Sequence, residues 1–347
     1  MTSEHIPTPS APGLIGLSLP DGVVPLSSAD STWGMIRVHG ADATRFLQAQ
    51  LTNDFALLKP DQARLAAFCN AKGRMQASFV TLRTVHDADS STYLLVCRKD
   101  VLPAVLKRLR MFVLRSKVTL DEVTEGLALY GLLGEAALAV WGEGAEAAQP
   151  WSYRNNGERH LVWLYPAAEP DARVPRALCV QDSSLPPPAG AALDPSLWEL
   201  SEVRSGVAMV SEATYEAFVP QMVNYESVGG VNFKKGCYPG QEVVARSQFR
   251  GAIKRRAYPA SGVLPADAAL PQAGQDVWRL AAEGGEPEPC GIIAQVAPTD
   301  GGFALLASLQ NSCVEDAVQG HATLRAGTAD GPELHLQPLP YDLLEDI

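Results

Sequence analysis

The sequence predicts an α+β chain: two mixed modules followed by a C-terminal antiparallel β-barrel. Three observations carry this expectation. Helical and strand-like spacings alternate through roughly the first 200 residues. Pro186-Pro187-Pro188-Ala189-Gly190 then interrupts the pattern and reads as a stiff exposed linker. Beyond about residue 255, short apolar runs alternate with Gly, Pro and Asp turns, which suits a small barrel or sandwich.

Taken in order, residues 1 to about 22 are rich in Ser, Thr and Pro and are expected to form a flexible tail. Gly34-Met35-Ile36-Arg37-Val38 reads as a strand. A helix follows, with Asp42 or Thr44 as its cap and Phe46, Leu47, Gln50 and Leu51 on its inner side. Leu65 to Cys69 and Gln76 to Leu82 read as strands around the turn Asn70-Ala71-Lys72-Gly73. Thr92 to Cys97 is another strand. Asp100 is expected to cap a helix whose Val101, Leu102, Val105, Leu106, Leu109 and Phe112 fall at helical spacing. Lys107, Arg108 and Arg110 lie off that stripe and read as a solvated face.

Strand character resumes at Leu127 to Gly131 and Leu161 to Leu164, and Trp198 to Gly206 reads as a helix. Val277 to Leu280, Gly291 to Val296, Phe303 to Ala307, Ala322 to Arg325 and Leu334 to Gln337 supply the barrel runs. The expected division is a tail over 1–22, a first α+β module over 23–125, a second over 126–254 and the barrel over 255–347.

Composition narrows the function. The 347 residues carry 28 basic and 39 acidic side chains, a net charge of −11. That balance argues against a dedicated nucleic-acid binder. The most apolar stretch, Leu127 to Trp141, is broken by Gly131, Gly134 and Glu135 and is shorter than the roughly 20 residues a bilayer needs, so no membrane partner is expected. Met1 to His5 shows no secretion signal. The six cysteines form no CxxC pair, which fits a reducing cytoplasm and no zinc ribbon. No GxxxxGK[ST], strand-linked GxGxxG, HExxH or GxSxG occurs.

One stretch stands out: Val231 to Arg246, containing Lys234-Lys235-Gly236-Cys237-Tyr238-Pro239-Gly240-Gln241-Glu242. From Lys234 to Arg256 the basic residues are Lys234, Lys235, Arg246, Arg250, Lys254, Arg255 and Arg256, and the only acid is Glu242. Such a cluster in an acidic chain suits an anionic ligand or partner. Nearby cations favour the thiolate of Cys237, the nucleophilic and metal-ligating form. Gly236 and Gly240 permit a turn that exposes the sulfur. The other reading of Cys237 is a buried, inert thiol, which is kept for Cys69, Cys97 and the rest.

The octet Lys235-Gly236-Cys237-Tyr238-x-Gly240-Gln241-Glu242 resembles the signature of the YgfZ family, folate-binding proteins that help maintain iron–sulfur enzymes. That family is related in fold to the aminomethyltransferase (T-protein) of the glycine cleavage system. Gly40-Ala41-Asp42, Phe46-Leu47-Gln48, Gln50-Leu51-Thr52, Ala71-Lys72-Gly73, Phe218-Val219-Pro220-Gln221 with Asn224, Phe249-Arg250-Gly251 and Pro338-Leu339-Pro340-Tyr341 also match. The resemblance runs from about residue 24 to 341.

It implies an aminomethyltransferase-like ring of modules around a central folate pocket, with tetrahydrofolate or another folate as cofactor. Trp33 and Trp198 occupy the positions where the family presents tryptophans to folate; ordinary core packing is the other reading. By the same resemblance, Cys237 is the functional thiol. It would serve as transient cluster ligand, thiol exchanger or one-carbon acceptor. Lys234 and Lys235 would lower its pKa, Tyr238 and Glu242 would shape the site, and Gln241 would hydrogen-bond ligand or backbone. One cysteine is too few for a permanently held cluster. Implied partners are iron–sulfur enzymes, including those that modify tRNA.

The T-protein carries an acidic pair that falls on Gln76 and Ala77 here, and neither can act as a general base. Aminomethyl transfer in that form is therefore not expected. The alternatives are a folate-dependent one-carbon transferase or demethylase, and a scaffold that keeps folate only structurally.

Overall fold

The computed structural model describes residues 18–27, 31–87, 89–250, 253–265 and 268–344. Most of the expected tail, 1–17, lies outside the described residues. Its last part is packed: Leu19 is buried, and its N–H donates to Glu169.

β1 (Gly22–Pro25) is followed by β2 (Trp33–Gly40), α1 (Ala43–Gln50), β3 (Ala63–Cys69), β4 (Met75–His86), β5 (Ser91–Arg98), α2 (Leu102–Met111) and β6 (Thr119–Glu122). The strands β3-β4-β5-β2-β6, in that order, form one antiparallel sheet. Its outer face, with Ile36, Phe68, Phe79 and Leu95, packs under Phe46 and Leu47 of α1 and Val105 and Leu109 of α2. Its inner face, with Met35, Leu65, Val80 and Val96, joins the central core. Burial on both faces is why these strands read as nearly continuous apolar runs.

Two expected caps act differently. Asp42 precedes α1, but its carboxylate accepts from the Lys117 N–H. Asp100 lies one residue short of the cap position of α2; it accepts from the N–H of Val101 and of Glu212 and so ties two segments together.

β7 (Leu127–Leu133), α3 (Glu135–Trp141), β8 (Tyr153–Asn155), β9 (Arg159–Trp163), β10 (Ala167–Ala168), β11 (Arg173–Val174) and β12 (Arg176–Asp182) come next. A second antiparallel sheet has the order β1-β7-β12-β9-β8. β1 therefore belongs with strands about 100 residues downstream, and the two sheets do not divide the chain at one point. The segment after Pro186–Gly190 runs back beside β1: Val23 and Ala192 form a parallel bridge. α3 covers the outer face through Trp141, whose ring meets Trp163 edge-on.

α4 (Pro195–Ser205) starts at Asp194, whose carboxylate accepts from the Ser196 N–H, and ends at Gly206 in the left-handed region. α5 (Gln241–Phe249) follows the cysteine motif. The rest is β13 (Arg255–Val263), β14 (Asp276–Ala281), β15 (Glu288–Thr299), β16 (Gly302–Gln310), α6 (Asn311–Val318), β17 (Ala322–Gly327) and β18 (Glu333–Leu336). The six strands close as β13-β16-β15-β14-β17-β18, the expected barrel, around Phe303, Leu305, Leu309 and Leu324. Among the described residues, no helix is long and apolar enough to cross a membrane.

Candidate functional site

A cavity of about 480 Å³ opens where the first sheet, α4 and the barrel meet. Thr32, Arg98, Lys99 and Asp100 come from the first module, Glu199 from α4, Met209 and Ser211 from the segment after it, and Ala294 to Val296 from β15. Arg98 grips Glu199 with two guanidinium nitrogens at 2.6 and 2.5 Å, and Thr32 adds a hydroxyl at 3.0 Å. Burial opposes the Glu199 charge. Arg98, Thr32 and Trp33 outweigh it, and the carboxyl lies below its ordinary pKa. Gln295 accepts from the Met209 N–H, while its side-chain NH₂ is buried without a partner.

The two tryptophans belong to a pair of like constructions beside this cavity. Trp33 is 2% exposed, and the Arg98 guanidinium lies 4.6 Å from its ring centre. Trp198 is fully buried, with Arg176 also at 4.6 Å. Arg176 pairs with Glu202, one turn along α4 from Glu199. Gly131 presses on the Trp198 ring so closely that a Cβ there would sit 2.2 Å from it. The rings are thus sealed under guanidinium groups, and neither tryptophan lines the cavity; its polar wall comes from Arg98 and Glu199 together with Thr32, Lys99, Asp100, Ser211 and Gln295.

The cysteine motif docks elsewhere on the first module. Lys235 points inward: its ammonium donates to the carbonyls of Gln48 and Leu51, at and just beyond the C-terminus of α1, and lies 4.8 Å from the Tyr238 ring centre. Burial pushes its pKa down to about 8, against the pull of Asp54 and Cys237. Tyr238 is buried. Cys237 between them is exposed, unlike the five other cysteines. Burial pushes the Cys69 thiol up to about 12. Gly240, at φ +80°, lies against the turn before β4; a Cβ on it would be 2.4 Å from the Asn70 carbonyl oxygen and 2.6 Å from the Gly73 Cα. The two glycine-bearing motifs therefore touch.

Three of the seven cations in the basic cluster are already engaged within the fold. Arg256 is buried against Glu226, Arg246 pairs with Glu242 on the surface of α5, and Lys235 is spent on carbonyls. Lys234 is exposed, and Gln241 donates to the Lys235 carbonyl at 3.4 Å. Neighbours in sequence point in different directions on a loop and helix. Other matching pieces hold the frame: Gln221 donates to Val244, Asn224 clamps Ala257 of β13, and Tyr341 donates to the Gly206 carbonyl.

Gln76 and Ala77 lie on opposite faces of β4. Ala77 packs under the helices. Gln76, buried, donates at 2.6 Å to the carboxylate of Glu216, a residue at φ +59° whose N–H is held by the Met75 carbonyl. Hydrogen bonds from Gln76 and Asn70 keep Glu216 below its ordinary pKa. Sequence reasoning missed Arg98, Glu199, Gln295 and Glu216. The available signal was Glu199 and Glu202 at a three-residue spacing around Leu200 on a tryptophan-bearing helix.

Residues 29–153 match the GCVT N-terminal domain. The chain is 30% identical over 329 residues to the tRNA-modifying protein YgfZ of Escherichia coli strain K12 and of strain E24377A, covering 90% of this chain and 92% of either relative. The glycine cleavage system aminomethyltransferase T from Bartonella henselae shares the fold, with a TM-score of 0.58 at 15% identity over 94% of this chain and 86% of that one. With such identity along nearly its whole length, the chain belongs to the YgfZ family.

Proposed function

We propose that the chain is a folate-binding accessory factor that supports iron–sulfur enzymes and, through them, tRNA modification. The observation that carries the folate reading is the cavity beside Glu199. Its volume suits a small-molecule ligand. An ionised carboxylate, a threonine hydroxyl and an unpartnered amide NH₂ offer a polar edge to a pterin, and Lys99 on the same wall brings positive charge for an anionic tail. Cys237 is exposed on a docked loop, where a partner protein can reach it. In this reading it acts as a transient ligand or exchanging thiol, and the client supplies the other ligands.

The test is a tetrahydrofolate titration of wild type, Gln295→Leu and Cys237→Ala, run with iron–sulfur enzyme and tRNA-modification assays in a deletion background. Folate affinity falls in Gln295→Leu and holds in Cys237→Ala, while Cys237→Ala fails to restore the enzyme activity. Absence of folate binding, or full complementation by Cys237→Ala, overturns the proposal.

Glu216 favours a second reading, a folate-dependent one-carbon transferase. It places an ionised carboxylate against Gln76, where the sequence itself offers none. Repeated turnover of methylene-tetrahydrofolate with amines, lost in Glu216→Gln, is the outcome that reading requires.

A further inference from the structure

A separate cavity of about 280 Å³ lies on the seam between the barrel and the second module. Val203 of α4, Pro259 and Ala260 of β13 and Ala304 of β16 make its walls mainly hydrocarbon. Two polar features interrupt them. The first is the buried ion pair of Arg204 with Glu169. Because the charges are matched, the wall favours a neutral occupant over an anion. The second is Gln337. Its NH₂ reaches Ser261 and the His335 carbonyl, but its side-chain oxygen is buried with no hydrogen-bond partner. A buried acceptor without a donor is costly, and a ligand that brings a donor recovers that cost. The cavity mouth is flanked by the exposed Pro170 and Pro338. α4 serves both cavities: Glu199 lines the central one, and Val203, one turn later on the same face, lines this one.

We propose that this seam is a second ligand site, independent of the folate reading, for a small, neutral and mainly apolar molecule that presents one N–H or O–H donor to Gln337. Interfaces between modules are common places for such sites.

Indole and indene test it, because they match in shape and differ in the N–H. Affinities are measured by ligand-observed NMR and calorimetry on the full chain. Indole binds about tenfold tighter than indene to wild type, the ratio expected of one neutral hydrogen bond. In Gln337→Leu the ratio falls to about one. In Ala304→Phe, which fills the space, both probes are lost; Gln337→Leu decides the matter alone if that variant fails to fold. Equal affinities in wild type, no binding of either probe, or an unchanged ratio in Gln337→Leu overturn the assignment. So does a ratio that collapses in Gln295→Leu instead, since the probes would then sit in the central cavity.

Discussion

Lys235→Met isolates the contact that docks the cysteine loop. In the folded chain the Lys235 pKa is about 8, against an ordinary 10.5. Between those values the unfolded chain holds a proton that the folded chain has released. Stability therefore rises with pH through this window and is flat below it. The span of about 2.5 units, at about 1.4 kcal/mol each, gives an upper bound of about 3.5 kcal/mol, which solvent screening of the ammonium reduces. At neutral pH that same amount is the net cost of holding the ammonium charged at this site, after the attraction of Asp54 and Cys237. Methionine removes it, but strips the Gln48 and Leu51 carbonyls of a donor, about 1–3 kcal/mol, and Tyr238 of its cation, about 1 kcal/mol. The opposing amounts nearly cancel, so the variant folds with near-wild-type stability at pH 7. Urea denaturation at pH 7, 8, 9 and 10 reads the effect. The wild-type-minus-variant difference climbs by up to about 2 kcal/mol from pH 8 to 10. Taking the difference removes the tyrosines and other lysines that titrate there. Parallel pH curves for the two proteins would refute the buried, carbonyl-bound lysine.

Three further outcomes follow from the same geometry. Glu199→Gln leaves the buried Arg98 without its counter-charge and costs about 3 kcal/mol in urea denaturation. The folded Glu199 pKa is depressed, so its contribution is present above the unfolded value of 4.5 and is lost as pH falls through the folded one; the variant's acid limb is shallower than wild type's, and an equally steep limb contradicts the pairing. Native iodoacetamide labels one thiol per chain, at Cys237, and denatured chain takes six; a second fast native thiol contradicts the burial of the others. Gly240→Ala costs about 2 kcal/mol or more, from a positive φ and a Cβ against the Asn70 carbonyl, whereas Gly236→Ala, which meets open space, is neutral within about 1 kcal/mol. Equal denaturation midpoints for the two alanine variants would remove the glycine-to-glycine contact as the reason for the motif.

The sheets were legible because their strands are buried on both faces and leave long apolar runs. The barrel was legible because its turns are spelled in Gly, Pro and Asp. α5 was not, since only Val244 of Gln241–Phe249 is buried and no stripe exists to read. β1 was not read as a strand: it is four residues long, and its partner β7 lies about 100 residues away. At the site, the glycines around Cys237 foretold an exposed sulfur. Charge counting could not separate adjacent lysines: Lys234 faces water and Lys235 faces carbonyls, and composition carries no direction.

α4 shows why the central residues escaped a pattern search. A helix at a protein surface writes an apolar stripe; α4 has neighbours on nearly every side and writes none. It packs on β1, β10, β15 and β16, and its charges reach outward to different modules. Glu199 pairs with Arg98 at the end of β5, Glu202 with Arg176 of β12, and Arg204 with Glu169 beyond β10. Buried ion pairs of this kind contribute little net stability, yet losing one partner is expensive. What they mark is geometry: Arg98 of β5 and Arg176 of β12 each meet a glutamate of α4, and Arg204 of α4 meets Glu169. The central cavity takes one wall from the first sheet, one from the barrel and Glu199 from the helix between them. Its shape is consequently tied to a pairing between Arg98 and Glu199, 101 positions apart, which local spacing in the chain does not encode.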